Sequence, residues 1–439
     1  MVYQSQFIVP NVDGINLPLE WDFADPNVLG SFFVKPQRRI AEFHRSSQHE
    51  LYNNYQFECM IAAHLSHSPH QPSNPVMSNL SRLQSSWRFR QIYLILDWDG
   101  TITGRDTMAV LAGICYKKRE TLHVQDRQPA IIPPWNHFVQ AYLAEYDRHL
   151  ASYKPVKGDR RSVTEESAWL ASLKTIEEAS FDRVNRAGLF QGVTNNDLNN
   201  GTKLAIQEKR VELRPGWEEL LTTTASKYCF EVRIASVNWS SSFIRASISA
   251  ALELKTEELG KQPADTDGGI LSAAAVHANE VIGIDSANGG PKSSMMTGSI
   301  KLLSANSCSG FHVAADKAQL LKELRTTLSG ASQPMSLDAY ENSLLIYVGD
   351  SATDFDCLVE ADVGICIQDE PLSSSQSELE DMFARVGFVS IKLSKFGPMT
   401  FSLSTSEARE KVIWIAQDLR EVSNLVKELS VHGRPPKRS

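Results

Sequence analysis

At 439 residues the chain is long enough to bury a full core and to carry additions around one catalytic unit. A hydrophobic share of 42% and a charged share of 22% exclude collagen-like, coiled-coil and wholly disordered classes. The formal net charge of -8 provides no basic field for gripping nucleic acid, so no nucleic-acid partner is expected.

Six cysteines, Cys59, Cys115, Cys229, Cys308, Cys357 and Cys366, are scattered without paired spacing. That pattern suits small buried hydrophobes in a reducing compartment and disfavours zinc sites and disulfide frameworks. No stretch approaches the ~18 to 20 consecutive apolar residues of a membrane span, and no charged-then-apolar leader opens the chain. A cytoplasmic protein without a membrane partner is expected.

Residues 1–86 are rich in Gln, Asn, Ser and His and lack an apolar pattern able to form a core, which predicts a poorly ordered N-terminal extension. Its His44, His49, His64, His67 and His70 have no ligand spacing and read as solvated loop. Met77 offers an alternative start of translation, and the extension is expected to be dispensable. Order begins at Ile92, where the apolar run IYLIL reads as a strand buried on both faces, within a first core segment at 87–103.

Beyond it the pattern turns helical. Phe138, Tyr142, Tyr146 and Leu150 recur four apart, and Trp169, Leu173 and Ile176 mark a second stripe, so 104–225 reads as a mainly α-helical insertion. RPGW (214–217) is expected to end that insertion, with Pro215 opening the helix WEELLTTTAS and Gly216 easing the entry. From 226 to 432 strand and helix alternate: CFEVRIAS (229–236) as strand, 241–252 as helix, then 343–350 and 361–367 as strands. Such alternation predicts an α/β fold with a Rossmann-like parallel sheet.

The Gly- and Ser-rich stretch at about 255–309 is expected to loop out from this sheet, broken by one strand at 275–284. Ile415, Leu419, Val422 and Val426 predict an amphipathic helix over one face, before a basic tail at 433–439.

Ligands in open α/β sheets sit beyond the carboxyl ends of the strands, and four polar clusters fall there. In LILDWDGTIT (94–103), Asp97 and Asp99 lie two apart before a Gly that permits a sharp turn. One carboxylate can attack phosphorus while the second, if protonated, donates to the leaving oxygen. A calcium loop would need a closing Glu and further oxygen ligands, which are missing. Ser236 closes a strand before a helix, where a hydroxyl and free backbone N–H groups can hold phosphate, or where a Ser simply caps.

Lys317 stands at a helix start, where an ammonium can neutralise nucleophile and phosphate or merely be solvated. In YVGDSATDFDCL (347–358), Asp350 and Asp354 lie one turn apart. Together with Asp97 they make a plausible Mg2+ set, Asp354 acting through water; the alternative is one capping and one solvated Asp.

In order and joint presence, these segments resemble the four motifs of the haloacid dehalogenase superfamily over roughly 92–370. The resemblance implies Asp97 as nucleophile, Asp99 as acid/base, Ser236 and Lys317 as phosphate-holding groups, and Asp97, Asp350, Asp354 and the Asp99 carbonyl around Mg2+. The helical insertion is similar to the cap that phosphoserine-phosphatase-like members place after motif one. In that subgroup the acidic residue nine positions after the nucleophile, here Asp106, commonly faces substrate; it also reads as the N-cap of the helix beginning TMAVLAG. The stretches NEVIG (279–283) and TGSI (297–300) resemble the region between that subgroup's second and third motifs.

The expected function is hydrolysis of a small phosphorylated metabolite. Protein phosphatase and phosphomutase are the alternatives, with dehalogenase and catalytically dead binding module behind them. An acidic Asp106 beside an anionic phosphate favours an amine-bearing substrate such as phosphoserine, phosphoethanolamine or thiamine monophosphate. Oligomeric state is not legible in the sequence.

Overall fold

The computed structural model describes residues 91–126, 132–225, 230–258, 274–281, 283–284, 296–297, 310–330, 343–396 and 411–432. The expected N-terminal extension, most of the 255–309 stretch and the basic tail lie outside the described residues.

The apolar run after Gln91 forms β1 (Gln91–Leu96), buried from Ile92 onward. Five helices follow: α1 (Met108–Asp126), α2 (Trp135–Ser152), α3 (Val163–Ser172), α4 (Lys174–Arg186) and α5 (Asn195–Gln207). Then come α6 (Trp217–Ala225), β2 (Phe230–Ala235), α7 (Ser241–Glu258), β3 (Ala274–His277), β4 (Glu280–Val281) and β5 (Met296–Thr297). The remainder is α8 (Ala314–Gly330), β6 (Ser343–Gly349), α9 (Phe355–Glu360), β7 (Val363–Ile367), α10 (Ser374–Arg385), β8 (Val389–Lys392), β9 (Val412–Ala416) and α11 (Leu419–His432).

Seven strands form one sheet in the order β3-β2-β1-β6-β7-β9-β8, and every pairing in it is parallel. The fold is α/β with a Rossmann-like parallel sheet and helices inserted after the first strand. Chain direction through the sheet reverses at β1, which has β2 on one side and β6 on the other. That reversal opens a crevice at the carboxyl ends of β1, β2 and β6.

The inserted helices share both cores with the sheet layer. Tyr142, Trp169, Leu173 and Ile176 pack with Ile95, Leu321, Phe355 and Leu358. Met108, Phe181, Phe190 and Leu198 pack with Trp239 and Phe243. Each apolar side chain so buried contributes on the order of 1.5 to 3 kcal/mol. A buried ion triad adds a polar tie: Glu166 on α3 lies 3.0 Å from Arg160 and 2.7 Å from Arg385 of α10.

α6 is set apart from the five earlier helices, packing on β2 and α11. Its entry depends on Gly216, whose φ of +91° and close approach to the Arg420 backbone leave no space for a Cβ. α6 thus lies against the sheet and the last helix.

Three readings are corrected. The strand expected at 275–284 is two short strands, because Asn279 turns the chain by bonding the backbones of Val237 and Phe311. Ile415 belongs to β9 and the helix starts only at Leu419; a five-residue strand buried on both faces carries no period to set it apart from the helical stripe that follows. The stripe Trp169, Leu173, Ile176 spans two helices, with Leu173 at their junction.

Candidate active site

Adjacent strands bring the first and fourth clusters together. Leu96 of β1 pairs with Val348 of β6, and the Asp97 N–H donates to Val348 O at 2.9 Å. Asp97 and Asp350 therefore leave neighbouring strand ends side by side, both almost fully buried. Gly100 makes the return turn possible: its φ is +81°, and a Cβ there would fall inside the Asp350 carboxylate. Thr101 Oγ1 closes the arrangement by donating to Asp350 Oδ1 at 2.9 Å.

Lys317, in the first turn of α8, is wholly buried. Its Nζ lies 2.8 Å from Asp97 Oδ1 and donates to Asp354 Oδ1 at 2.8 Å. Asp354 is fixed in turn by the Tyr347 hydroxyl at 2.7 Å and by the N–H groups of Asp350 and Ser351 at 3.0 and 3.1 Å. Burial pushes the Asp97 carboxyl up to about 8, reinforced by Asp354 and opposed by Lys317. Burial, then Asp354 and Asp97, pushes Asp350 far above the usual carboxylate range. The paired carboxylates hold Lys317 charged against its own desolvation.

Asp99 is half-buried and points into a separate set of donors. Its Oδ1 accepts the Thr107 N–H at 2.8 Å and the Thr107 hydroxyl at 2.5 Å, and its Oδ2 accepts Asn238 Nδ2 at 2.9 Å. Burial raises its pKa and these hydrogen bonds oppose the rise.

The donor set fits a divalent cation. One oxygen from each of Asp97, Asp350 and Asp354 lies within 4.8 Å of the others, and all three residues are buried. Among the described residues Lys317 is the cation paired with this group, so two negative charges stay unbalanced when all three are ionised, and that repulsion adds to burial in raising the Asp97 and Asp350 pKa values. A hard cation taking carboxylate oxygens offsets it. Asp97 and Asp350 keep oxygen capacity for such an ion, whereas both oxygens of Asp354 are already engaged. Asp354 thus holds Lys317 in place while also capping the turn at Ser351.

Ser236 follows β2, next to β1 in the sheet. Its N–H donates to His277 O at 2.9 Å; its hydroxyl accepts the Asn238 N–H at 3.1 Å and can still donate its own proton. Asp106 is exposed and caps α1, Oδ1 accepting the Met108 N–H at 2.7 Å. Three residues escaped the sequence reading. Asn238 joins the Ser236 turn to Asp99. Thr107 grips Asp99 from the insertion side. Arg214 donates from Nε to Gly100 O at 2.9 Å while binding Asp369 through both terminal nitrogens at 2.5 and 3.0 Å, thereby tying the DWDG turn to the loop after β7. Only the serine-strand-end signal hinted at Asn238, two residues on.

No family model matches the chain. It is 25% identical over 334 residues to a CTO1 family protein of Schizosaccharomyces pombe, which covers 74% of this chain and 95% of that protein. It is 24% identical over 306 residues to the Bifunctional TH2 protein, mitochondrial, of Arabidopsis thaliana; 67% of this chain aligns, and the match spans 42% of that longer protein. Among solved structures it is similar to a phospho-aspartyl intermediate analogue of phosphoserine phosphatase, with a TM-score of 0.34 and 12% identity over 76% of this chain and 99% of the other. Among the described residues no helix is long and apolar enough to cross a membrane.

Proposed function

We propose that the chain is a magnesium-dependent phosphomonoester hydrolase of the haloacid dehalogenase superfamily, acting on a small phosphorylated metabolite through an aspartyl-phosphate at Asp97. The observation that carries this reading is the buried Asp97 carboxylate lying 2.8 Å from Lys317, beside Asp350, with the second carboxyl group of Asp99 fixed two residues away. Asp97 forms the new bond to phosphorus as the bond to the leaving oxygen breaks, and the Asp99 proton goes to that oxygen. In the second step Asp99 takes a proton from water as water attacks phosphorus, which releases inorganic phosphate and restores the Asp97 carboxylate.

Asp97, Asp350 and the Asp99 carbonyl would hold Mg2+, which when bound neutralises charge on the phosphoryl oxygens. Lys317 and the Ser236 hydroxyl orient those oxygens, and the helices after β1 serve as a cap excluding water from a small substrate. Asp106 spends one oxygen on its helix and offers the other to a substrate amine, so an amine-bearing phosphomonoester is the favoured class.

The test is phosphate release from a panel of phosphorylated metabolites in magnesium, run beside a phosphopeptide. Turnover of a small phosphomonoester that disappears in Asp97→Asn supports the reading. Turnover by Asp97→Asn at a tenth of the wild-type rate overturns it, as does preference for the phosphopeptide.

A further inference from the structure

Asp99 has an asymmetric set of partners. A carboxylate oxygen offers about two lone-pair directions, and Asp99 Oδ1 fills both with the N–H and the hydroxyl of Thr107. Oδ2 accepts a single described donor, Asn238 Nδ2, at 2.9 Å. The Asn238 amide is itself held: Nδ2 also lies 3.3 Å from Thr107 Oγ1, and Oδ1 accepts the Ser240 N–H at 3.2 Å where the chain enters α7. Thr107 Oγ1 further accepts the indole N–H of Trp98 at 3.2 Å. Asn238, Thr107 and Trp98 are all buried, so the frame around Asp99 is built from packed side chains on three separate segments.

We infer that Asn238 is a positioning residue for the proposed phosphoryl transfer, fixing Asp99 so that Oδ2 is the oxygen that exchanges the proton with the leaving group and then with water. The inference rests on the reading of Asp97 as nucleophile and Asp99 as acid. With Oδ1 saturated, the second lone pair of Oδ2 is the position left for that proton, and the Asn238 amide sets its direction. In the first step the Oδ2–H bond breaks, its proton joins the ester oxygen, and the electron pair of the breaking P–O bond stays with that oxygen. Orientation of this kind matters where the leaving oxygen is basic and little where it is not.

Leaving-group dependence separates positioning from a structural role. The experiment measures kcat/KM, which reports the first phosphoryl transfer, for the wild type's best alkyl phosphomonoester and for p-nitrophenyl phosphate. Asn238→Asp keeps the acceptor for Ser240 N–H and loses the donor toward Asp99; Thr107→Val, which removes one hydroxyl of the same frame, is the second variant. Thermal melting selects the variants that fold, and Asp99→Asn serves as the reference.

The expected result is a fall of about tenfold or more in the alkyl-to-aryl ratio of kcat/KM for Asn238→Asp, in the same direction as Asp99→Asn, with a smaller fall for Thr107→Val. A ratio unchanged from wild type in the folded variants, with both esters slowed alike or neither slowed, overturns the positioning role while leaving the phosphatase reading intact. If Asn238→Asp does not fold, the Thr107→Val ratio decides in the same way. A wild type that hydrolyses neither ester overturns both readings.

Discussion

Lys317 Nζ lies 2.8 Å from Asp97 Oδ1, and neither side chain reaches solvent to any useful extent. The same ammonium serves Asp354, so one buried cation faces two of the three clustered carboxylates. Lys317→Met would leave that group uncompensated, and breaking a buried pair by removing one partner costs about 3 to 5 kcal/mol. The metal-free variant is expected to unfold at correspondingly lower urea and to lose phosphate release. A loss of stability under about 1 kcal/mol would contradict the buried pairing.

Asp97→Asn is expected to abolish turnover and yet raise the melting temperature of the metal-free protein. The carboxyl is pushed from 3.8 up to about 8 by burial first and Asp354 second. A group whose folded pKa is raised contributes stability that is full below its unfolded pKa and is lost as pH rises through the folded value. Metal-free wild type should therefore lose stability between about pH 4 and pH 8, and Asp97→Asn should lose less. At pH 8 a gain of about 1 kcal/mol, worth a few degrees, is expected. Thermal melts of both proteins across that range, with chelator present, make the comparison.

The parts of this site that were legible in the sequence are those with a local signature. A five-residue apolar run ending in two carboxylates two apart announces a buried strand feeding a polar turn, and Asp97, Asp99 and Asp350 leave strand ends as expected. Ser236, Lys317 and Asp354 were named but not their partners, since the use of Ser236 N–H by His277 and of Asp354 by Lys317 and Tyr347 depends on contacts across the sheet. Asn238, Thr107 and Arg214 carry no motif. An Asn after a strand is a common turn residue, and an Arg before a Pro looks solvated until the fold sets Asp369 and the Gly100 carbonyl beside it. β8 was hidden for a related reason, and β3 and β4 were read as one strand: two to four residues hold too little periodicity to read.

Two glycines should respond in opposite senses to the same change. Gly100→Ala places a Cβ against the Asp350 carboxylate at a φ of +81°, so the turn must shift. The left-handed conformation alone costs roughly 1 to 2 kcal/mol, and a displacement of about 1 Å at the reacting groups can cost about 100-fold in rate. Gly113, within α1, has nothing within 4 Å of an added Cβ, and Gly113→Ala should stabilise by about 0.5 to 1 kcal/mol. Urea unfolding and phosphate release of the two variants test the pair; equal effects at both positions would be inconsistent with the Gly100 geometry.

Magnesium should stabilise the protein, and more so as pH rises. In the proposed metal site the carboxylates offered to the ion are Asp97 and Asp350, since Asp354 spends both oxygens on Lys317, Tyr347 and two backbone N–H groups. In the metal-free protein Asp97 titrates near 8 and Asp350 is also raised, so at pH 6 an incoming ion must displace protons, whereas at pH 9 Asp97 is already ionised. A ligand at about 100 times its dissociation constant stabilises by about 2.7 kcal/mol, enough to move the melting temperature by several degrees. The shift produced by a fixed magnesium concentration should therefore grow from pH 6 to pH 9. It should nearly vanish in Asp350→Asn, whose amide loses the charge while keeping an oxygen for the Thr101 hydroxyl. Differential scanning calorimetry reads this without any substrate, so the outcome does not depend on knowing the physiological ester. A shift independent of pH, or one preserved in Asp350→Asn, would place the ion away from these two carboxylates.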